Sequence, residues 1–122
     1  MPVKFTAEEG AYIKSQPLAR IGTASKNGEP DTAPVGFTFD GEYFYVGGRD
    51  LEHTNKFRNV RENPKVSLVI DDMASLNPWH PRGVKIRGIA DLVDFTGYMG
   101  PAKYIRVKPV LKRSWGIGKP NQ

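Results

Sequence analysis

The run Thr54-Asn55-Lys56 places a hydroxyl, an amide and an ammonium at what reads as the start of a short helix. Amides that open a helix have no partner within it and attract anions. A lysine there adds a charged hydrogen bond, worth about 1.5–3 kcal/mol net against a phosphate. Thr54 is the expected N-cap and Asn63-Pro64 the expected stop, so the helix should run to about Glu62. Phe57 and Val60 would anchor it, while Lys56, Asn59 and Asn63 share another face by their spacing. Such a face can be a phosphate clamp or a plain solvated surface. Gly47-Gly48, just upstream, would let a ligand approach the backbone or simply mark a strand exit.

Other chemistries find less support. His53 and His80 lie in separate loops without metal-binding spacing, so no metal site is expected. No serine sits in a strained strand-to-helix turn of the hydrolase kind. The chain has no cysteine, which excludes thiolate catalysis, disulfides and cysteine-ligated metals. Trp79 and Arg82, in a proline-rich loop, and Trp115, near the C-terminus, could plug a barrel end, wall a planar ring or anchor a subunit interface.

The elements that must position these residues fit one domain over residues 1–122. Thr6-Ala7-Glu8-Glu9 reads as a capping box opening a first helix that ends near Ser15, before Pro17. From Leu18 to Gly48 the alternation becomes that of strands, with Asn27-Gly28 and Asp40-Gly41 as turns, predicting a three-stranded meander. Lys65–Asp71, Gly83–Phe95 and Ala102–Pro109 are further strands, with Ile86, Gly88, Ala90 and Leu92 on the core side. Six or seven antiparallel strands with two short helices predict a mostly β, closed or nearly closed barrel.

Eighteen basic against thirteen acidic residues give a formal charge of +5, which favours anionic ligands without choosing among them. The cations are interspersed with acids from Lys4 through Arg20, Arg87 and Lys103, with no aromatic-basic platform, so nucleic acid is not the expected partner. No apolar run is long enough to span a membrane and no leader-like stretch follows the N-terminus, so a cytoplasmic protein without a membrane partner is expected.

The segments "GTASKNGEPDTAPVGFTFDGEYFYVGG", "HTNKFRNVRENPKVSLVIDD", "PRGVKIRGIADL" and "YIRVKP…SWGI", in this order and spacing, resemble the pyridoxamine 5'-phosphate oxidase-like split β-barrel superfamily, and within it the small F420-dependent oxidoreductases. The resemblance spans about Leu18 to Ile117. It implies a Greek-key, FMN-binding-like barrel that dimerises, with two equivalent cofactor sites at the subunit interface. It places Thr32, Ala33, Pro34 and Val35 beside the tricyclic ring and wraps Gly47, Gly48, Thr54, Asn55 and Lys56 around the tail, with Lys56 on the phosphate. Trp79, Arg82 and Trp115 would approach from loops or from the partner subunit, Arg82 near the acceptor. "RDLEH", ahead of Thr54, lengthens the tail loop relative to many relatives, and the chain is too short to carry the full substrate set of a vitamin B6 oxidase.

What this implies is hydride transfer from reduced F420 to a small organic acceptor. FMN in the same pocket is the near alternative. A cofactor carrier without turnover and a nucleic-acid-binding barrel are the distant ones.

Overall fold

A computed structural model describes residues 3–118. Helix α1 (Ala7–Ser15) opens with the expected reciprocal cap: the Glu9 amide donates to Thr6 Oγ1 at 3.0 Å, and the Thr6 amide donates to Glu9 Oε1 at 2.9 Å. Strand β1 (Ala19–Ala24) follows, then β2 (Pro30–Val35), β3 (Phe37–Phe39) and β4 (Phe44–Val46). A 3-10 turn over Leu51–His53 leads into α2 (Asn55–Glu62), and β5 (Lys65–Ser75), β6 (His80–Gly97) and β7 (Gly100–Trp115) complete the chain.

All seven strands join one antiparallel sheet in the order β2-β1-β5-β6-β7-β4-β3. This order corrects the expected meander in one respect: its single middle strand is split at Gly36 into β2 and β3. β1 and β2 form a hairpin at one edge, whereas β3 and β4 form a hairpin at the other, against β7. Only Gly36 separates β2 from β3, so the two edge strands must come within a few ångströms of each other at that residue. The sheet therefore curls back on itself without closing its hydrogen-bond ladder, which is a split barrel rather than a closed one. Tyr98 reinforces the seam: its hydroxyl donates to the Gly36 carbonyl at 2.8 Å and accepts from the Gly47 amide at 3.0 Å.

The β1–β2 connection also differs from a tight Asn-Gly turn. Five residues, Ser25 to Glu29, form the loop, the Ser25 hydroxyl accepts from the Asn27 and Glu29 amides, and only Gly28 takes a positive φ, +88°. Serine satisfies the turn amides from the side, so Asn27 need not enter the left-handed region.

The inward faces of the strands fill the barrel. Ile21, Leu68, Ile70, Val84, Ile86, Ile105 and Val107 are buried, and Phe39 stacks on Phe44 with centroids 4.4 Å apart. Helix α1 covers one end with Tyr12 and Ile13, and α2 packs Phe57 and Val60 into the same core. Burying such side chains stabilises by roughly 1.5–3 kcal/mol each, enough to seat a two-turn helix that would not persist alone. Ile86, Gly88 and Ala90 face the core as expected, and Leu92 is half buried against it.

Candidate functional site: a groove on the open face of the sheet

The outward face of the sheet holds a concavity of about 490 Å³ in which apolar and charged side chains converge. Its position follows from register. Thr32 lies opposite Gly22, Gly22 opposite Ser67, and Ser67 opposite Arg87, so one row runs across β2, β1, β5 and β6. Side chains two apart on a strand share a face, which brings Pro30, Lys65 and Ile89 to the same side.

Two local features hollow out this face. Gly22 has no side chain between Thr32 and Ser67, and a Cβ built there would run into Ser67 Oγ. On β7 the register slips between Arg87–Leu111 and Gly88–Pro109, leaving Val110 as an extra residue. This bulge turns Val110 outward, 58% exposed, to form a wall of the groove beside Ile89. The groove thus has an apolar floor and walls, hydroxyls at Thr32 and Ser67, two cations, Lys65 and Arg87, and one carboxylate, Asp31.

Of the twelve residues singled out from sequence, Thr32 lines the groove. Pro34 is exposed on the same face, opposite Arg20, whereas Ala33 pairs with buried Ile21 and Val35 is itself buried. Alternation along β2 therefore turns Thr32 and Pro34, but not Ala33 or Val35, to the outward face.

Thr54 is the N-cap of α2, but its hydroxyl is committed: it donates to the Leu51 carbonyl at 2.6 Å and accepts from the Phe57 amide at 3.3 Å. Asn55 Oδ1 accepts from Arg58 at 2.7 Å. Lys56 makes no ion pair among the described residues and is half buried. Three residues on, Asn59 donates to Thr23 Oγ1 at 3.0 Å, and Asn63 donates to the Ser25 carbonyl at 3.0 Å. Helical spacing puts Lys56 on this side of α2, turned toward β1 and its hairpin. Gly47 is enclosed, because a Cβ there would stand 2.6 Å from the Tyr104 ring; Gly48 borders a separate hollow of about 250 Å³ with Asp50, His53, Ala102 and Lys103.

Arg82, Trp79 and Trp115 lie at the other end of the sheet. Arg82 is five residues from Arg87 along β6, about 16 Å at the rise of a strand, and shares the inward face of Val84 and Ile86. Its guanidinium makes two 2.8 Å hydrogen bonds to Asp72, and it sits 5.0 Å from the Tyr12 ring centroid. That pairing holds the Asp72 carboxyl below its ordinary range, and burial beside Asp72 pushes the Tyr12 phenol up. Trp79 is 69% exposed on the β5–β6 turn, and Trp115 closes over Gly83.

Lys65, Ser67, Arg87, Gly22, Ile89 and Val110 were not singled out as site residues from sequence. The alternation of Lys65-Val66-Ser67 and Arg87-Gly88-Ile89 marks them as outward-facing, but only strand register brings them into one row. Among the described residues no group of three or more His, Asp or Glu is placed to hold a metal, and no helix is long and apolar enough to cross a membrane.

The chain is thus a seven-stranded split barrel with a groove across its open face. Residues 5–108 match the pyridoxamine 5'-phosphate oxidase family, and the chain belongs to it. It is 34% identical over 119 residues to the 5a,11a-dehydrotetracycline/5a,11a-dehydrooxytetracycline reductase of Streptomyces rimosus, covering 93% of this chain and 84% of that protein. The fold is similar to a conserved hypothetical protein of Mycobacterium tuberculosis, with a TM-score of 0.75, 21% identity and coverage of 94% and 86% of the two chains. It is also similar to a protein described as an F420 reductase, with a TM-score of 0.69, 22% identity and coverage of 89% and 98%.

Proposed function

We propose that this chain is an oxidoreductase that holds reduced F420 in the groove and reduces a small organic acceptor, acting as a cytoplasmic homodimer. The observation that carries this reading is the groove itself: a glycine-floored, apolar-walled concavity, edged by Lys65 and Arg87, on a chain related to a reductase. Its volume lies in the range that holds ligands of drug size. The described residues present no evident nucleophile–base dyad at this face, which suits a protein whose cofactor carries the difficult chemistry.

Bound F420 would supply the hydride. The chain's own residues then orient the ring, exclude water and supply positive charge. Gly22 and Thr32 form the floor, Pro30, Ile89 and Val110 the apolar contacts, and Lys65 and Arg87 the positive edge. Lys56, on α2, is the proposed contact for the tail phosphate. A second copy over Ile89, Val110 and Leu111, which are 44%, 58% and 55% exposed, would cover this apolar strip and seclude the groove from water.

Titrating the purified protein with F420 and with FMN, followed by cofactor fluorescence, tests the reading, with a single-stranded oligonucleotide as control. Micromolar binding of F420 but not FMN is expected. Binding of FMN alone would transfer the groove to that cofactor, and binding of neither would overturn both. Sedimentation velocity tests the dimer.

A further inference from the structure

Where charged residues face each other across the rungs of β6, their signs are matched, with one exception. Asp72 faces Arg82, Asp91 faces Arg106 and Asp94 faces Lys103, and each of these pairs forms an ion pair. The Lys85–Arg113 rung instead sets two cations directly opposite one another, an arrangement that destabilises a sheet. Arg87, two residues along on the same face, adds a third positive charge.

No acid among the described residues relieves them. Asp71, the carboxylate diagonal to Lys85 on β5, is held by Arg20 at 2.5 Å. Glu9 accepts from Lys112 and Ser114 on the α1 side of the sheet, and Asp91 is gripped by Arg106 at 2.7 Å. Lys85, Arg87 and Arg113 form no ion pair among the described residues. They line a hollow of about 160 Å³ together with Leu111 and Lys112.

We infer that this hollow is a small-anion site that receives a carboxylate or phosphate group of a ligand whose body occupies the larger groove. Arg87 lines both concavities, so they adjoin at that residue. The hollow has room for one acidic group. Two guanidinium forks and an ammonium suit bidentate recognition of planar or tetrahedral oxyanions. An anion bridging Lys85 and Arg113 converts their repulsion into two attractions, so the like-charged rung is explained by its occupant. The acid belongs either to the acceptor or to the cofactor's tail; the chemistry is shared, and competition separates the two.

The test uses the full chain labelled with ¹⁵N and titrated with inorganic phosphate, with ionic strength held constant by sodium chloride. Saturable amide shifts are expected at residues 85–87 and 111–113, together with a raised melting temperature. In the Lys85→Gln/Arg113→Gln double variant the apparent phosphate affinity should fall by about tenfold or more, as expected for losing two charge-assisted contacts. That variant should also melt higher than the parent without phosphate, since the repulsion is gone, which verifies that it folds. Shifts that never saturate, or that persist unchanged in the double variant, overturn the site. Repeating the titration with F420 present identifies the source: displacement of phosphate assigns the hollow to the cofactor's tail, and simultaneous binding assigns it to the acceptor. If F420 does not bind at all, the phosphate titration still decides the anion site, so the two conclusions fail separately.

Discussion

The Asn59 carboxamide donates to Thr23 Oγ1 at 3.0 Å, and both residues are buried, 5% and 4% exposed. This bond joins α2 to β1 at a residue that also borders the groove. The helix carrying Lys56 is thereby registered against the strand carrying Gly22. Asn63, one turn later, repeats the tie at the Ser25 carbonyl. Two asparagines fix the rotation of a helix whose apolar contacts, Phe57 and Val60, would by themselves permit some sliding.

Asn59→Ala should destabilise the fold by about 1–3 kcal/mol, because it leaves the Thr23 hydroxyl buried without its donor. Urea unfolding measures this. F420 affinity should fall as well, since Lys56 loses its registration. An unchanged affinity in the folded variant would show that α2 takes no part in binding.

Lys56→Ala removes the proposed phosphate contact while leaving both asparagine ties in place. Cofactor binding should weaken by about tenfold or more, with the melting temperature little changed. Fluorescence titration alongside a thermal melt checks both halves of that expectation.

Gly22→Val fills the groove floor. The nearest obstacle to the new Cβ is Ser67 Oγ, the movable end of a small side chain, and valine suits a strand, so the protein should still fold. Cofactor binding should be lost or weakened at least about tenfold, by the same fluorescence assay. Retained affinity would place the ring elsewhere.

Acid should loosen α1 before the rest of the barrel. Burial pushes the Glu9 carboxyl up, but hydrogen bonds from Lys112, Ser114 and the Thr6 amide outweigh it and hold its pKa below the ordinary value. A carboxylate with a depressed folded pKa contributes stability above its unfolded value, which is lost as pH falls through the folded one. Hydrogen exchange in α1 should therefore accelerate below about pH 4.5, near the unfolded glutamate range. Glu9→Gln should flatten that dependence in part, the remainder coming from Asp72, whose carboxyl is depressed by Arg82.

Arg82→Ala should cost about 1–2 kcal/mol through the lost Asp72 pair and the stem packed on Tyr12, and should leave F420 affinity unchanged. Arg82 faces the α1 side of the barrel, away from the groove. A loss of affinity without loss of stability would return it to the site.

Local chemistry made several features readable in advance. The Thr6–Glu9 box, the Thr54 cap, the Pro17 and Pro64 boundaries and the core face of β6 all follow from interactions within a few residues, so the chain announces them directly. The meander's middle strand is split for a non-local reason. Its two halves, β2 and β3, are strand-like and pair with β1 and β4 as the turns suggest, but nothing in their residues says that they lie at opposite edges of the sheet. Arg82 illustrates the same limit: its sequence neighbourhood suggests a ligand contact, whereas its pairing with Asp72 and its place beside the Tyr12 ring appear only once the strands have paired.

The sequence by itself determined the element types, the +5 charge, the absence of thiol chemistry and the alternation that sends Lys65, Ser67, Arg87 and Ile89 outward, because these depend on residue identity and short-range period. The tertiary structure alone decided which outward residues become neighbours. Register across β2, β1, β5 and β6 set Thr32, Gly22, Ser67 and Arg87 in one row, and the bulge at Val110 gave that row a wall. Pairing between strands is selected by the packing of the whole core, so neither the groove nor the unmatched Lys85–Arg113 rung exists until the sheet has formed.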